Sequence, residues 1–262
     1  MIVTLNINKN EFTLDVAPNE TLMKTLRSMG FVSVKFGSED GITGAATVLL
    51  DGVPVNADVY LSAQADGKQI ETVEMVGEHP EQGWKLTDGF HPLQQAFIES
   101  GAIQSGYSTP AMILAARHLL AKNPDPSEEE VREVLSGILD RETGYLKPVQ
   151  AILHAAAIMR GETDSKLVEP KIAVTEEGGK FQSVGQPEIK VDAVKLVQGK
   201  PAFAADFETQ GLLHAKVLFS PHAHAKIVRI DKSKAEALPG VAAVLTHEDL
   251  PRVAYSTAGQ SD

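Results

Sequence analysis

The 262-residue chain carries 24 Lys+Arg against 35 Asp+Glu, a formal net charge of −11, with 43% hydrophobic and 23% charged residues. At roughly 100–200 residues per domain it has room for two or three domains; its composition excludes wholesale disorder, and its acidic balance argues against a phosphate-tracking nucleic-acid binder. It contains no cysteine, which removes disulfide scaffolds, thiolate zinc sites, cysteine nucleophiles and ordinary thiolate-held iron–sulfur clusters.

The opening run Met1-Ile2-Val3-Thr4-Leu5-Asn6 alternates apolar and polar residues, so it reads as a strand and not as a signal peptide. A second strand carries Phe12, Leu14 and Val16, with a hairpin turn at Asn8-Lys9-Asn10. A helix follows, with Asn19 as N-cap, Leu22, Leu26 and Met29 on one face, and Gly30 at the C-cap. After a glycine-punctuated loop from Gly37 to Gly44, strands at Thr47–Leu50 and Val53–Val55 flank Asp51-Gly52, a strong hairpin signal. A strand over Lys68–Val73 closes the unit, and residues 1–76 together suggest a β-grasp arrangement.

Residues 77–91, which include the only tryptophan, look like a connector. From Pro92 to Arg160 the period becomes helical. The predicted helices are Leu93–Ser100, Ala111–Leu120 (Thr109 as N-cap and Pro110 at N1), one opened by the capping box Ser127-Glu128-Glu129-Glu130, and Lys147–Arg160. Four short amphipathic helices over 77–161 imply a compact bundle. Residues 162–187, rich in Glu, Lys, Gly and Ser, form a linker. From 188 onward strands return at Leu213–Phe219, Ile227–Ile230 and Val241–Leu245, with a helical turn at Ser233–Ala237. No stretch reaches the roughly 18 apolar residues that span a bilayer. The expectation is a cytoplasmic protein with neither membrane nor nucleic-acid partner.

Gly37-Ser38-Glu39-Asp40-Gly41-Ile42-Thr43-Gly44-Ala45-Ala46-Thr47-Val48 resembles the cluster loop of the plant-type [2Fe–2S] domain of the xanthine dehydrogenase / aldehyde oxidase (molybdenum hydroxylase) family. Plant-type loops space their thiolates C-x₄-C-x₂-C with a distant fourth. Ser38, Thr43 and Ala46 occupy that spacing, and Asp58 aligns with the fourth position. In the helical segment, Gln104-Ser105-Gly106-Tyr107-Ser108-Thr109-Pro110 is similar to the family's Q-C-G-F-C-T-P stretch. Leu135-Ser136-Gly137-Ile138-Leu139-Asp140-Arg141-Glu142-Thr143-Gly144-Tyr145 resembles L-S-G-N-L-C-R-C-T-G-Y. Ser105, Ser108, Asp140 and Glu142 therefore stand in the other four cysteine places. Further on, Gly199–Asp206, Leu218–Ile227 and Ala237–Val241 are similar to the opening of the family's large-chain α/β hammerhead domain.

The resemblance implies an α+β multidomain chain: a degenerate [2Fe–2S] ferredoxin-like β-grasp domain (1–76), a degenerate helical four-helix-bundle domain (77–161), a linker (162–187) and the start of a partial hammerhead domain (188–262). Within the family it most resembles a bacterial xanthine-dehydrogenase-like subgroup in which the iron–sulfur region has lost its cysteines. Replacements that include Thr, Asp and Glu fit natural drift better than engineering, which favours Ser or Ala. Ala46 offers no donor and the other replacements are hard oxygen ligands, so no [2Fe–2S] cluster is expected.

The implied function is that of a cluster-free scaffold segment of a molybdopterin-dependent hydroxylase acting on a purine, an N-heterocycle or an aldehyde. Its implied partners are molybdopterin-binding domains or a separate subunit bearing them, and an FAD or iron–sulfur subunit as electron acceptor. Two other readings are an electron-transfer subunit with non-standard cluster ligands and a stand-alone interaction adapter without molybdenum chemistry. Gln104 is the one candidate cofactor-binding residue. The family's glutamine at this position approaches the pterin, and an amide with donors and an acceptor suits a pterin edge; the alternative is an amide bonded to backbone at a helix–helix turn. No catalytic residue and no metal ligand is expected within the chain. For Glu39, Asp40 and Asp58 the two readings are a Mg²⁺ or Ca²⁺ site and solvated loop carboxylates; the second is favoured, since their spacing does not resemble a calcium loop. His222 and His224 share a strand face but lack an evident third ligand.

Overall fold

The computed structural model describes residues 1–77, 89–162, 188–207 and 211–251. Alternation builds the first sheet. β1 (Ile2–Ile7) pairs antiparallel with β2 (Asn10–Asp15), setting Val3 opposite Leu14 and Leu5 opposite Phe12. The connection is a two-residue turn in which Asn8 and Lys9 both have positive φ (50° and 69°), whose twist suits a hairpin. β3 (Thr47–Leu50) and β4 (Val53–Asn56) repeat the device through Asp51 and Gly52, at φ 50° and 79°. β5 (Gln69–Glu71) enters between the hairpins, parallel to β1 and antiparallel to β3, giving the order β2-β1-β5-β3-β4.

β5 is shorter than the predicted Lys68–Val73. Asn8 ties off its end: Thr72 donates its N–H to Asn8 Oδ1 (2.9 Å), Asn8 Nδ2 donates to Thr72 Oγ1 (2.8 Å), and Val73–Met75 turn into a 3-10 turn. α1 (Leu22–Ser28) crosses the sheet. Its N-cap is Thr21 and not Asn19, because the Thr21 side chain reaches the Lys24 N–H while its backbone bridges Leu61. Leu5, Ile7, Leu22, Leu26, Val48 and Ile70 fill this β-grasp core at 1% exposure or less.

The helical segment contains α2 (Pro92–Glu99), α3 (Thr109–Lys122), α4 (Glu128–Leu135) and α5 (Leu146–Met159). Ser127 and Glu130 form the capping box: Ser127 Oγ accepts the Glu130 N–H (3.2 Å) and Glu130 Oε2 accepts the Ser127 N–H (2.8 Å). The N-cap of α3 lies one residue earlier than predicted, since Ser108 holds that position and Thr109 is already helical. Leu93, Phe97, Met112, Ile113, Leu114 and Ile152 are fully buried between the helices. Leu49, Val73 and Val76 of the β-grasp segment join this second core, so the two segments share one apolar seam.

A short α6 (Ala193–Val197) packs on α2 and α3, where Gln94 Nε2 donates to the Val197 carbonyl (2.8 Å). Residues 188–207 thus fold with the first compact unit, Met1–Phe207, although the sequence places them in the third segment. The connector at 77–91 lies outside the described residues over 78–88, as does the linker over 163–187.

The second unit, Glu208–Asp262, departs from expectation. Among its described residues α7 (Ser233–Glu236) forms, but none of the three predicted strands does. Alternation supplies a strand's faces, but its backbone N–H and C=O groups need a neighbouring strand. In the described residues Leu213–Phe219, Ile227–Ile230 and Val241–Leu245 pair with nothing, and Leu218 and Val228 are 98% and 92% exposed. His222 and His224 consequently share no strand face. His222 sits in a local turn in which its N–H bonds Ser220 Oγ (3.0 Å).

Candidate functional site

The first four vacated positions lie in the loop between α1 and β3 and just after β4. Gly37 is required where the loop folds back, since a Cβ there would fall 1.7 Å from Thr43 Oγ1. Ser38 Oγ accepts the Thr43 N–H at 3.4 Å, and Asn56 Nδ2 donates to the Gly41 carbonyl, closing residues 38–43 against the end of β4. Ala46 is fully buried and offers no donor. Asp40 is exposed, and hydrogen bonds from the Ser38 hydroxyl and the Ile42 N–H hold its carboxyl below the usual range.

Asp58 overturns the solvated-carboxylate expectation. It is only 5% exposed, and burial pushes its carboxyl above the usual carboxylate range. The Ser38 and Val59 amides face it and favour the charged form, yet neither reaches bonding geometry, so both Asp58 oxygens are left without a hydrogen-bond partner. Thr43 Oγ1 and Asn56 Oδ1 are buried and unpartnered in the same loop.

The second four lie at the start of α3 and after α4. Ser105 is exposed, its Oγ accepting the Tyr107 N–H (3.2 Å), whereas Ser108 is fully buried with an unpartnered hydroxyl. Glu142 is 2% exposed; its Oε1 accepts the Gly106 N–H (2.8 Å) and its Oε2 has no partner. Asp140 Oδ1 caps the following turn by accepting the Glu142 N–H (2.9 Å). The two loops touch directly. Leu139 donates its N–H to the Thr43 carbonyl (2.8 Å), and Gly44, at φ 64°, approaches so closely that a Cβ would stand 2.1 Å from the Gly137 oxygen.

Gln104 is exposed on the α2–α3 loop, and its amide makes no hydrogen bond among the described residues. Among the described residues no three His, Asp or Glu side chains gather as a metal site.

A buried ion pair escaped the sequence reading. Lys35 (3% exposed) places its Nζ 2.6 Å from Asp206 Oδ2 and 4.8 Å from the Phe203 ring centroid. Arg27 adds a contact to Asp206 Oδ1 (3.2 Å) and donates to the Ala205 carbonyl (2.7 Å). Phe203 stacks edge-on with Tyr107 (5.1 Å between centroids), whose hydroxyl donates to the Phe36 carbonyl at 2.6 Å. Burial works to raise the Asp206 carboxyl, but the Lys35 bond and the Ala202 and Phe203 amides outweigh it and hold the group ionised. Burial lowers the Lys35 ammonium. Residues 202–206 thereby bind the loop before Ser38 to the loop before Ser108. No spacing signal links positions 35 and 206.

Residues 72–153 match the [2Fe-2S] binding domain, and residues 198–262 match the aldehyde oxidase and xanthine dehydrogenase a/b hammerhead domain. The nicotinate dehydrogenase small FeS subunit of Eubacterium barkeri is 43% identical over 155 residues, covering 58% of this chain and 93% of that subunit. The chain belongs to the xanthine dehydrogenase and aldehyde oxidase family. Across its whole length it is 36% identical to the probable hypoxanthine oxidase of Escherichia coli K12, and the match spans 26% of that protein. The crystal structure of the aldehyde oxidoreductase from Desulfovibrio desulfuricans superposes on 95% of the chain with a TM-score of 0.80 and 36% identity, over 27% of its own length. The chain thus spans about a quarter of the length of these two relatives.

In this family frame the donor set can be tested. Iron–sulfur clusters are held by thiolates. The eight positions here present hydroxyls, carboxylates and a methyl group. These residues do not fit a [2Fe–2S] cluster in either loop.

Proposed function

We propose that the chain is the amino-terminal, cluster-free segment of a molybdopterin-dependent oxidoreductase acting on a purine, another N-heterocycle or an aldehyde. Its segments are a β-grasp domain at 1–76, a helical domain at 77–161, a linker at 162–187 and hammerhead sequence at 188–262. One observation carries the reading: the two cluster-domain frameworks keep their cores, their mutual loop contact through Thr43 and Leu139, and the Lys35–Asp206 clamp, while all eight ligand positions lack thiolates. Electrons from substrate oxidation therefore have no iron–sulfur relay through this segment and must leave by another route.

The segment serves as a docking scaffold for the molybdenum domains and for an electron-accepting partner bearing FAD or iron–sulfur centres. The exposed Gln104 amide, without a hydrogen bond among the described residues, fits recognition of a pterin edge. When bound, the molybdenum cofactor supplies the oxidation chemistry; this chain contributes the amide and the surface around it. The test is metal content of the full-length polypeptide made in molybdenum-replete cells. Stoichiometric molybdenum and pterin are expected, with reduced occupancy in a Gln104→Ala variant. Full-length protein devoid of molybdenum would overturn the reading.

A further inference from the structure

Residues 188–207 follow the 163–187 segment and lie on the first unit like a strap, in a seat built from both frameworks. Ala193, Val194, Leu196 and Val197 of α6 are 8% exposed or less where α6 meets α2 and α3. Leu196 takes the space that Gly106 leaves open, since a Cβ on Gly106 would stand 2.4 Å from Leu196 Cδ1. Gln94, itself fully buried, donates to the Val197 carbonyl (2.8 Å). Farther along, Phe203 meets the Tyr107 ring edge-on, and Asp206 pairs with Lys35 (2.6 Å) and Arg27 (3.2 Å).

The two sides of this contact are held differently. The seat carries bonds of its own: Arg27 Nη1 donates to the Val32 and Val34 carbonyls (3.1 and 3.0 Å), and the Tyr107 hydroxyl donates to the Phe36 carbonyl (2.6 Å). The strap depends on the seat. α6 has five residues, well below the roughly 12–15 at which an isolated helix becomes even marginal in water. A preformed groove that orders a short segment through apolar anchors and one buried charge has the features of peptide recognition. The Eubacterium barkeri small subunit is matched over 93% of its length by 155 residues, so it has about the length of what precedes the strap here.

We propose that residues 188–207 are a docking peptide for a groove shared by the two cluster-free frameworks, and that the groove holds this peptide without the covalent link. The features recognised are the aliphatic pair Leu196 and Val197, the ring of Phe203 and the carboxylate of Asp206. The proposal rests on the docking-scaffold reading and names the contact through which the scaffold works: the polypeptide that follows residue 207 is tethered through this strap.

The test uses the 262-residue chain with a protease recognition sequence inserted between Gly178 and Gly179. After cutting, the two fragments are expected to co-elute in size exclusion at about 10 µM, as a Kd in the micromolar range or below requires. Dilution of the cut chain gives the Kd. Asp206→Ala should weaken the association at least about thirtyfold, because it truncates one partner of a buried charge pair. Phe203→Ala leaves both charges in place, provides a second reading if Asp206→Ala does not fold, and should weaken the association less. Lys216→Ala, at an exposed residue outside the strap, should co-elute as wild type. Wild-type fragments that separate at that concentration, or fragments held equally well in Asp206→Ala and Phe203→Ala, would overturn the proposal. No molybdenum enters this measurement, so its failure leaves the metal-content test of the wider reading standing.

Discussion

Replacing Asp206 with alanine removes the acceptor at the centre of the clamp. The Asp206 side chain is 1% exposed and accepts hydrogen bonds from Lys35, Arg27 and the Ala202 and Phe203 amides. The substitution leaves the Lys35 ammonium, 3% exposed, without a hydrogen-bonded counter-ion, beside the Phe203 ring and with the Glu74 charge acting on it from farther off. Breaking one side of a buried pair costs about 3–5 kcal/mol, because the surviving charge stays desolvated and unpaired. For a folded unit of 207 residues, at roughly 2–4 °C per kcal/mol, the Tm should fall by about 10 °C. The companion variant, Lys35→Met with Asp206→Leu, removes both charges and should recover most of that loss. Thermal melts followed by circular dichroism compare the three proteins. A fall below about 2 °C for Asp206→Ala, or a double variant as unstable as the single, would refute the argument that an uncompensated charge is the cause.

Three further outcomes follow from the same geometry. Asp58 has a carboxyl raised by burial, so the folded state binds more protons than the unfolded chain between the ordinary value near 3.9 and the raised one. Its contribution is therefore favourable below the unfolded value and is lost as pH rises through the folded one; urea melts from pH 4 to 7 should show that decline, flattened in Asp58→Asn. Ser127→Ala deletes one half of the α4 capping box and should cost about 1 kcal/mol in urea unfolding. Gly44→Ala and Gly52→Ala both strain a positive φ, but only the first meets backbone, at Gly137 O (2.1 Å), so Gly44→Ala should lower Tm clearly more.

Much of the first unit was legible because its signals are local. Asn8-Lys9 and Asp51-Gly52 set two hairpins by backbone conformation alone, and Ser127 with Glu130 announced the start of α4. The ends of elements were less legible where tertiary bonds decided them, as Asn8 did for Thr72 and the Leu61 bridge did for Thr21. Strands over 213–245 were predicted from alternation, which reports faces but says nothing of whether a neighbour is present to complete the ladder. At the candidate site, the eight vacated positions could be read from spacing within preserved flanks. Burial of Asp58 could not, because an aspartate in a glycine-rich loop looks solvated until the chain closes over it. The Lys35–Asp206 pair is joined across 171 residues, beyond the reach of any periodic signal.

The central claim is that both cluster frameworks survive here without their metal. Its most direct test is iron and acid-labile sulfide per chain, measured on protein purified anaerobically from iron-replete cells. Far less than one iron and one sulfide per chain are expected, with no charge-transfer absorption in the visible region. About four iron and four sulfide per chain, the content of two [2Fe–2S] clusters, would contradict it.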